Sequence, residues 1–214
     1  MPNEDLKAFM SGEERVTDNT STHSSSLLSA AAGSGALAGG AVAGDEIPAA
    51  PWHLGGAALG LPHLSWSQRP FGVLALVHYD TSPVGAYNEL ALAVLTRRGP
   101  TVLQMPVTSK ASMIGGRRIW GFPKTLANLQ WRRNGERIVF TAGTKQWHAQ
   151  AVGPRIPLRL RASSTQQLNG EWVRVPLQIT AQARLAWCGR RFAILLESFD
   201  MVVHPPLNQT GKVL

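Results

Sequence analysis

The chain lacks most of the groups that announce a chemistry outright. It has one cysteine, Cys188, so no disulfide can form within it, and a small disulfide-held scaffold is excluded. That single thiol fits a reducing compartment, and a cytoplasmic location is the expectation. The six histidines, at positions 23, 53, 63, 78, 148 and 204, have none of the close spacing that a zinc site needs. No apolar run reaches the roughly 18 residues of a membrane-spanning helix. There is no helix-turn-helix or zinc-finger pattern, and aromatics are not interleaved with bases as in a platform for single strands. The expectation is a chain that works without metal or cofactor, and without a nucleic-acid or membrane partner.

Acids are also scarce, and unevenly placed. Residues 1–50 hold seven acids and two bases, whereas the rest holds 19 bases and six acids, a net charge of +13. A body so basic attracts anions, a carboxylate substrate among them, although a solvated arginine-rich surface accounts for most of these charges.

What is present begins with a low-complexity segment. Thr17 to Ser29 is mostly Ser and Thr, and Ala30 to Gly44 is nearly all Ala and Gly. Such sequence buries too little apolar surface to offset the entropy of ordering. Residues 1–48 are expected to be disordered and residues 49–214 to form the folded domain. The Gly33-Ser34-Gly35 cluster with Gly39 misses the spacing and the preceding strand of a dinucleotide loop.

Within the body, residues 49–70 are rich in Gly and Pro and read as irregular packing with room for one short strand. Phe71 to Tyr79 reads as a buried strand, Asp80 to Gly85 as a loop, Tyr87 to Thr96 as a strand or short helix, and Thr101 to Thr108 as a strand. Ser109 to Ile114 suits a short helix stopped at Gly115-Gly116. Asn134-Gly135 between two apolar-alternating runs predicts a type I′ hairpin, pairing Arg133 with Glu136, Trp131 with Ile138 and Leu129 with Phe140. Lys145 to Val152, Ile156 to Ala162 and Phe192 to Val203 follow as strands. Val173 to Trp187 alternates apolar odd positions with Arg174, Gln178, Thr180, Gln182 and Arg184 on the other face, as in a long half-buried strand. Many strands and little helix predict a mainly β, antiparallel fold, closed as a barrel.

The chemistry centres on Gly116-Arg117-Arg118-Ile119-Trp120-Gly121-Phe122-Pro123-Lys124. Apolar walls disfavour a lysine's cation, and a lysine so treated can attack a ketone and form a Schiff base. The plain alternative is a lysine that follows a turn and points into water.

That stretch, together with Asp80-Thr81-Ser82-Pro83-Val84-Gly85-Ala86-Tyr87-Asn88-Glu89, resembles acetoacetate decarboxylase and its relatives. The family has an Asp-Thr-Ser … Gly-x-Tyr-x-Glu segment and then a Gly-Arg segment closing in Pro-Lys, here at matching spacing. The resemblance covers about residues 71–133. It implies a cone-shaped antiparallel barrel in a homo-oligomer, with Lys124 as the Schiff-base lysine and Glu89 as an active-site carboxylate. Arg117, Trp120, Phe122 and Tyr87 are the candidate substrate contacts, and the partner is a small keto acid or ketone. Three departures alter recognition. Thr125 stands where the decarboxylase has a second lysine, Leu74 where it has a glutamate, and Arg118 where it has an acid. Trp52 to Leu61 also carries no arginine to hold a carboxylate. Three functions follow: a Schiff-base decarboxylase of a β-keto acid, a Schiff-base dehydratase or aldolase, and a non-catalytic barrel for a small apolar ligand.

Overall fold

The computed structural model describes residues 47–63 and 71–214. The expected disordered segment, residues 1–48, falls outside them except for its last two positions.

Ten strands form one sheet: β1 (Trp52–His63), β2 (Gly72–Thr81), β3 (Tyr87–Thr96), β4 (Gly99–Val107), β5 (Lys124–Leu126), β6 (Leu129–Asn134), β7 (Arg137–Ala142), β8 (Lys145–Leu168), β9 (Glu171–Cys188) and β10 (Arg191–Val203). Among the described residues one helix, α1 (Lys110–Trp120), joins β4 to β5. The spatial order is β5-β4-β3-β2-β1-β10-β9-β8-β7-β6. Every pairing is antiparallel except β4 with β5, which is parallel. The mainly β expectation therefore stands. The closed barrel is not reached by the ladder, because β5 and β6 remain edges with one neighbour each.

Of the stretch expected to be irregular, residues 52–63 are strand, while its last seven positions, 64–70, lie outside the described residues. β1 is twelve residues long and lies at the centre, paired with β2 and with β10. Its glycines misled the reading, since glycine weakens an isolated strand. Here they permit close approach: a Cβ on Gly56 would lie 1.9 Å from the His78 carbonyl oxygen, at a register shift between the strands. Tyr87–Thr96 is strand throughout, and the two expected strands over 145–162 are one, β8, broken in register between Val152 and Ile156.

Both faces of the sheet are buried, but at different places. One core gathers Trp52, Tyr79, Tyr87, Val107, Val175 and Phe199. The other, on the opposite face, gathers Leu59, Leu76, Leu90, Ile138, Phe140 and Leu195. β9 passes from one to the other. Its odd positions Val173, Val175 and Ala181 are buried in the first core. Beyond Ala183 the even positions Ala186 and Cys188 are buried in the second, leaving Leu185 54% and Trp187 42% exposed. The expected single buried face over 173–187 is thus corrected: the alternation persists, but the covered face changes.

The hairpin register is corrected as well. The structure pairs Asn134 with Arg137, Trp131 with Phe140 and Leu129 with Ala142. The turn residues are Gly135 and Glu136, with positive φ (57°) at Gly135 only, the glycine-first pattern of a type II′ turn rather than I′. A two-residue slide keeps every side chain on its face. It also satisfies charges from elsewhere. Glu197 sits at the register shift of β10 between Leu196 and Ser198. It accepts from Arg133 at 2.7 Å, from Arg184 at 3.1 Å and from Arg155, while Arg184 also reaches Glu136 at 2.6 Å. Burial of the Glu197 carboxyl is the largest single effect on it and opposes ionisation, but the three arginine contacts together outweigh it and hold its pKa at about 2, below the usual 4.5.

Candidate active site

The helix expected to stop at Gly115-Gly116 runs on to Trp120. Ser109 caps its start by accepting from the Ser112 N–H at 3.1 Å. Gly121 ends it in the left-handed region (φ 70°), and the Gly121 and Phe122 N–H groups bond back to Arg117 and Gly116 carbonyls. The midhelix glycines serve packing instead. A Cβ on Gly116 would lie 2.5 Å from Lys124 Cδ, so the helix makes room for the lysine stem.

Lys124 leaves α1 by a short turn, enters β5 and pairs with Met105 of β4. It is 5% exposed and Glu89, from β3, is 4% exposed. The Lys124 Nζ donates to Glu89 Oε2 at 2.8 Å and to Ser112 Oγ at 2.8 Å. Two of its three N–H bonds are thereby used. The Tyr79 hydroxyl donates to Glu89 Oε1 at 3.1 Å, and the Tyr87 ring centre lies 5.3 Å from Nζ. Burial, and next to it the Glu89 charge, push both tyrosine pKa values well above 10. Both phenols therefore stay protonated, and Tyr79 donates its proton to the carboxylate.

This cluster forms part of the wall of a cavity of about 320 Å³. Of the residues singled out from sequence, Lys124, Glu89, Tyr87, Trp120 and Phe122 all line it. Trp120 is fixed by donating to the His204 carbonyl at 2.8 Å and meets Trp52 edge-on at 5.0 Å. Arg117 is placed otherwise. Its Nε donates to the Lys124 carbonyl at 2.5 Å and it is not among the lining residues, so it braces the lysine's backbone rather than facing a substrate. Leu74 packs against the second core, while Thr125 and Arg118 are exposed. Ser112 and Tyr79 were not singled out from the sequence. A serine inside a helix carries no signal, and Tyr79 was visible only as a strand residue. Among the described residues, no three His, Cys, Asp or Glu side chains converge as metal ligands would. No helix among them is long and apolar enough to cross a membrane.

A buried lysine–carboxylate pair thus stands at the wall of an apolar cavity on a large antiparallel sheet. The comparisons show what such a chain is similar to. The family described as acetoacetate decarboxylase (ADC) matches residues 61–149, which span both sequence blocks. The fold is similar to that of acetoacetate decarboxylase from Legionella pneumophila (14% identity, 78% of this chain and 88% of that chain covered, TM-score 0.51). It is also similar to an acetoacetate decarboxylase-like enzyme from Sphingomonas wittichii (13% identity, 81% and 98% covered, TM-score 0.50). A third similar structure is the enduracididine biosynthesis enzyme MppR complexed with pyruvate (10% identity, 74% and 90% covered, TM-score 0.50). No curated protein matches the chain. The resemblance read from the two sequence blocks therefore holds, in sequence over 61–149 and in fold over most of the chain.

Proposed function

We propose that this protein is a Schiff-base-forming enzyme in which Lys124 condenses with a carbonyl compound and Glu89 moves the protons. The observation that carries this reading is the buried Nζ, 2.8 Å from Glu89 Oε2 at the edge of an apolar cavity. Transfer of one Nζ proton to Glu89 leaves a free amine and a neutral acid, an uncharged pair suited to low-dielectric surroundings. The amine adds to the carbonyl carbon, water leaves, and the iminium becomes an electron sink. Glu89 gives its proton to the departing water; a bond to the adjacent carbon then breaks, its electrons pass to nitrogen, and the resulting enamine takes up a second proton, supplied by solvent and relayed through Glu89. Hydrolysis of the iminium restores Lys124. Ser112 and Arg117 hold the lysine's tip and backbone so that this geometry is ready in advance.

When the breaking bond is that of a β-carboxylate, the reaction is a decarboxylation, as the family likeness suggests. Condensation or dehydration without loss of carbon dioxide is the second reading. It is favoured by the lining, in which Lys124 is the one cation among the described residues. MppR, a similar fold, is complexed with pyruvate, which supports a keto acid as the substrate class here.

The test is incubation with acetoacetate or acetylacetone and borohydride, followed by peptide mass mapping. Adduct on the Lys124 peptide, abolished in Lys124→Arg, is the expected result, because a guanidinium stays protonated and makes no imine. Equal labelling of Lys110 or Lys145 would sink the enzyme reading. Selective labelling without carbon dioxide release would leave the lysine mechanism and remove the decarboxylase.

We also propose self-association through one outer face. Leu185 pairs with Ile194 and Trp187 with Phe192, the latter two with ring centres 3.8 Å apart and planes tilted by 31°, and all four are exposed. An apolar patch of this kind suits a partner copy, and a monomer mass in solution would count against it.

A further inference from the structure

We propose, resting on the Schiff-base reading of Lys124, that the cavity takes an amphipathic carbonyl compound. Its carbonyl lies at Lys124, an apolar chain runs along β4, and a remote anionic group sits at Arg161 and Arg174.

The first argument is the open seam of the sheet. Among the described residues, β4 meets β5 only from Met105 to Val107, so its edge from Pro100 to Gln104 has no ladder partner there. Among the same residues β7 covers β8 only as far as Ala149 and Gln150, and the rest of that edge is unpaired too. The two edges converge on the cavity, which Pro100 and Val102 of β4 and Ala162, Ser163 and Ser164 of β8 line together. A side-chain bond, Thr165 Oγ1 to the Arg98 carbonyl at 2.8 Å, spans the gap.

The second argument is length. Lys124 is level with Met105, and Pro100 lies five residues earlier, about 16 Å away at the rise of a strand. The cavity's volume of about 320 Å³ holds on the order of ten non-hydrogen atoms, at roughly 30 Å³ for each water-sized group. Its walls are cut back to methyl groups at Ala58, Ala75, Ala91 and Ala93, which leaves room for an apolar chain between them.

The third argument is charge. Among the described residues the lining holds two charged groups, Lys124 and Glu89, and they are bonded to each other. A carboxylate next to the reacting carbonyl would meet Glu89 with no cation of its own. At the far end, Pro100, Ala162 and Ser163 also line a surface cleft with Arg161 and Arg174. Neither arginine forms an ion pair among the described residues. Ser164 Oγ, buried and without a partner among the described residues, lies on this same stretch of β8. Buried hydroxyls are ordinarily hydrogen-bonded, and a polar ligand end supplies that bond.

The test compares borohydride trapping on the Lys124 peptide by acetone, 2-decanone, 9-oxodecanoate and 2-oxodecanoate at equal sub-saturating concentrations. Each CH₂ buried strengthens trapping about fourfold until the cavity is full, so 2-decanone exceeds acetone by well over tenfold. 9-Oxodecanoate exceeds 2-decanone by about two- to fivefold, the range of exposed ion pairs, and exceeds 2-oxodecanoate by more. The double variant Arg161→Ala, Arg174→Ala removes the advantage of 9-oxodecanoate over 2-decanone. If none of the four labels Lys124, the Schiff-base reading falls and this inference with it. If Lys124 is labelled but acetone does as well as 2-decanone, the chain site is overturned and the lysine chemistry stands. If 2-oxodecanoate matches 9-oxodecanoate, or the double variant keeps the advantage, the anionic end is overturned.

Discussion

Gly116→Ala separates stability from reactivity at this site. In an ordinary helix interior the change is favourable, by about 0.8–1 kcal/mol. Here the new methyl would stand 2.5 Å from Lys124 Cδ and 2.7 Å from Cε. Ordinary contact begins near 3.4 Å, so the lysine stem must retreat by about 1 Å. Overpacking of this kind costs about 1–3 kcal/mol, which leaves the net stability change between about zero and 2 kcal/mol of loss. The chemistry has no such compensation. Nζ is held by two bonds of 2.8 Å, to Glu89 and Ser112, and a 1 Å shift breaks one or both. Misplacement on that scale costs about 10²-fold in rate. The expected result is a urea midpoint between that of wild type and about 1 M below it, with trapping at Lys124 reduced about a hundredfold. Wild-type trapping with an unchanged midpoint would refute the claim that Gly116 exists to seat the lysine.

The sequence made this lysine visible for a partly wrong physical reason. Trp120, Phe122 and Pro123 were read as walls around Lys124, and Trp120 and Phe122 do line its cavity. Yet the contacts on Nζ come from 35 and 12 residues away, at Glu89 and Ser112. Local reading cannot supply such partners, and Glu89 was reached through the spacing of two motif blocks. Ser112 was beyond reach for a further reason. The helix was expected to end at Gly115-Gly116, and stopping it there hid the fact that its inner face turns toward β5. The strands that follow one local rule, β2 and β10, were legible. β1 was not, because its glycines serve contacts to strands distant in sequence. The hairpin failed between these cases. Asn134-Gly135 is a true local signal, but the register answers to the Trp131–Phe140 ring contact at 6.2 Å and to Arg133 reaching Glu197.

Glu89→Gln removes the proton acceptor of Lys124, and trapping should fall by about 10²–10⁴-fold. The lone buried cation should also lower stability by about 3 kcal/mol; unchanged trapping would release Glu89 from its role. The chain has two tyrosines, Tyr79 and Tyr87, and burial raises both. Each keeps its proton in the fold, so the stability they lend is full below about pH 10, the unfolded value, and is lost as pH rises beyond it. Tyrosinate absorbance should therefore appear only together with unfolding, and a separate titration near pH 10 in folded protein would contradict the burial. Glu197→Gln tests the arginine cluster at the strand bulges. The Glu197 carboxyl has its pKa lowered to about 2 from 4.5, so its contribution is present above about 4.5 and fades as pH falls through about 2. Undiluted, that gap would be worth about 3 kcal/mol. Arg155 is 63% exposed and solvent screens such a pair, so about 1–2 kcal/mol is expected. An amide keeps one acceptor oxygen and much of the shape but loses the charge that three guanidinium groups surround. The urea midpoint of Glu197→Gln should lie below wild type at pH 7, by less at pH 3, and should meet it near pH 2. Equal midpoints at pH 7 would mean that the three arginines only decorate the bulge, and that the hairpin register is held by Trp131 and Phe140 alone.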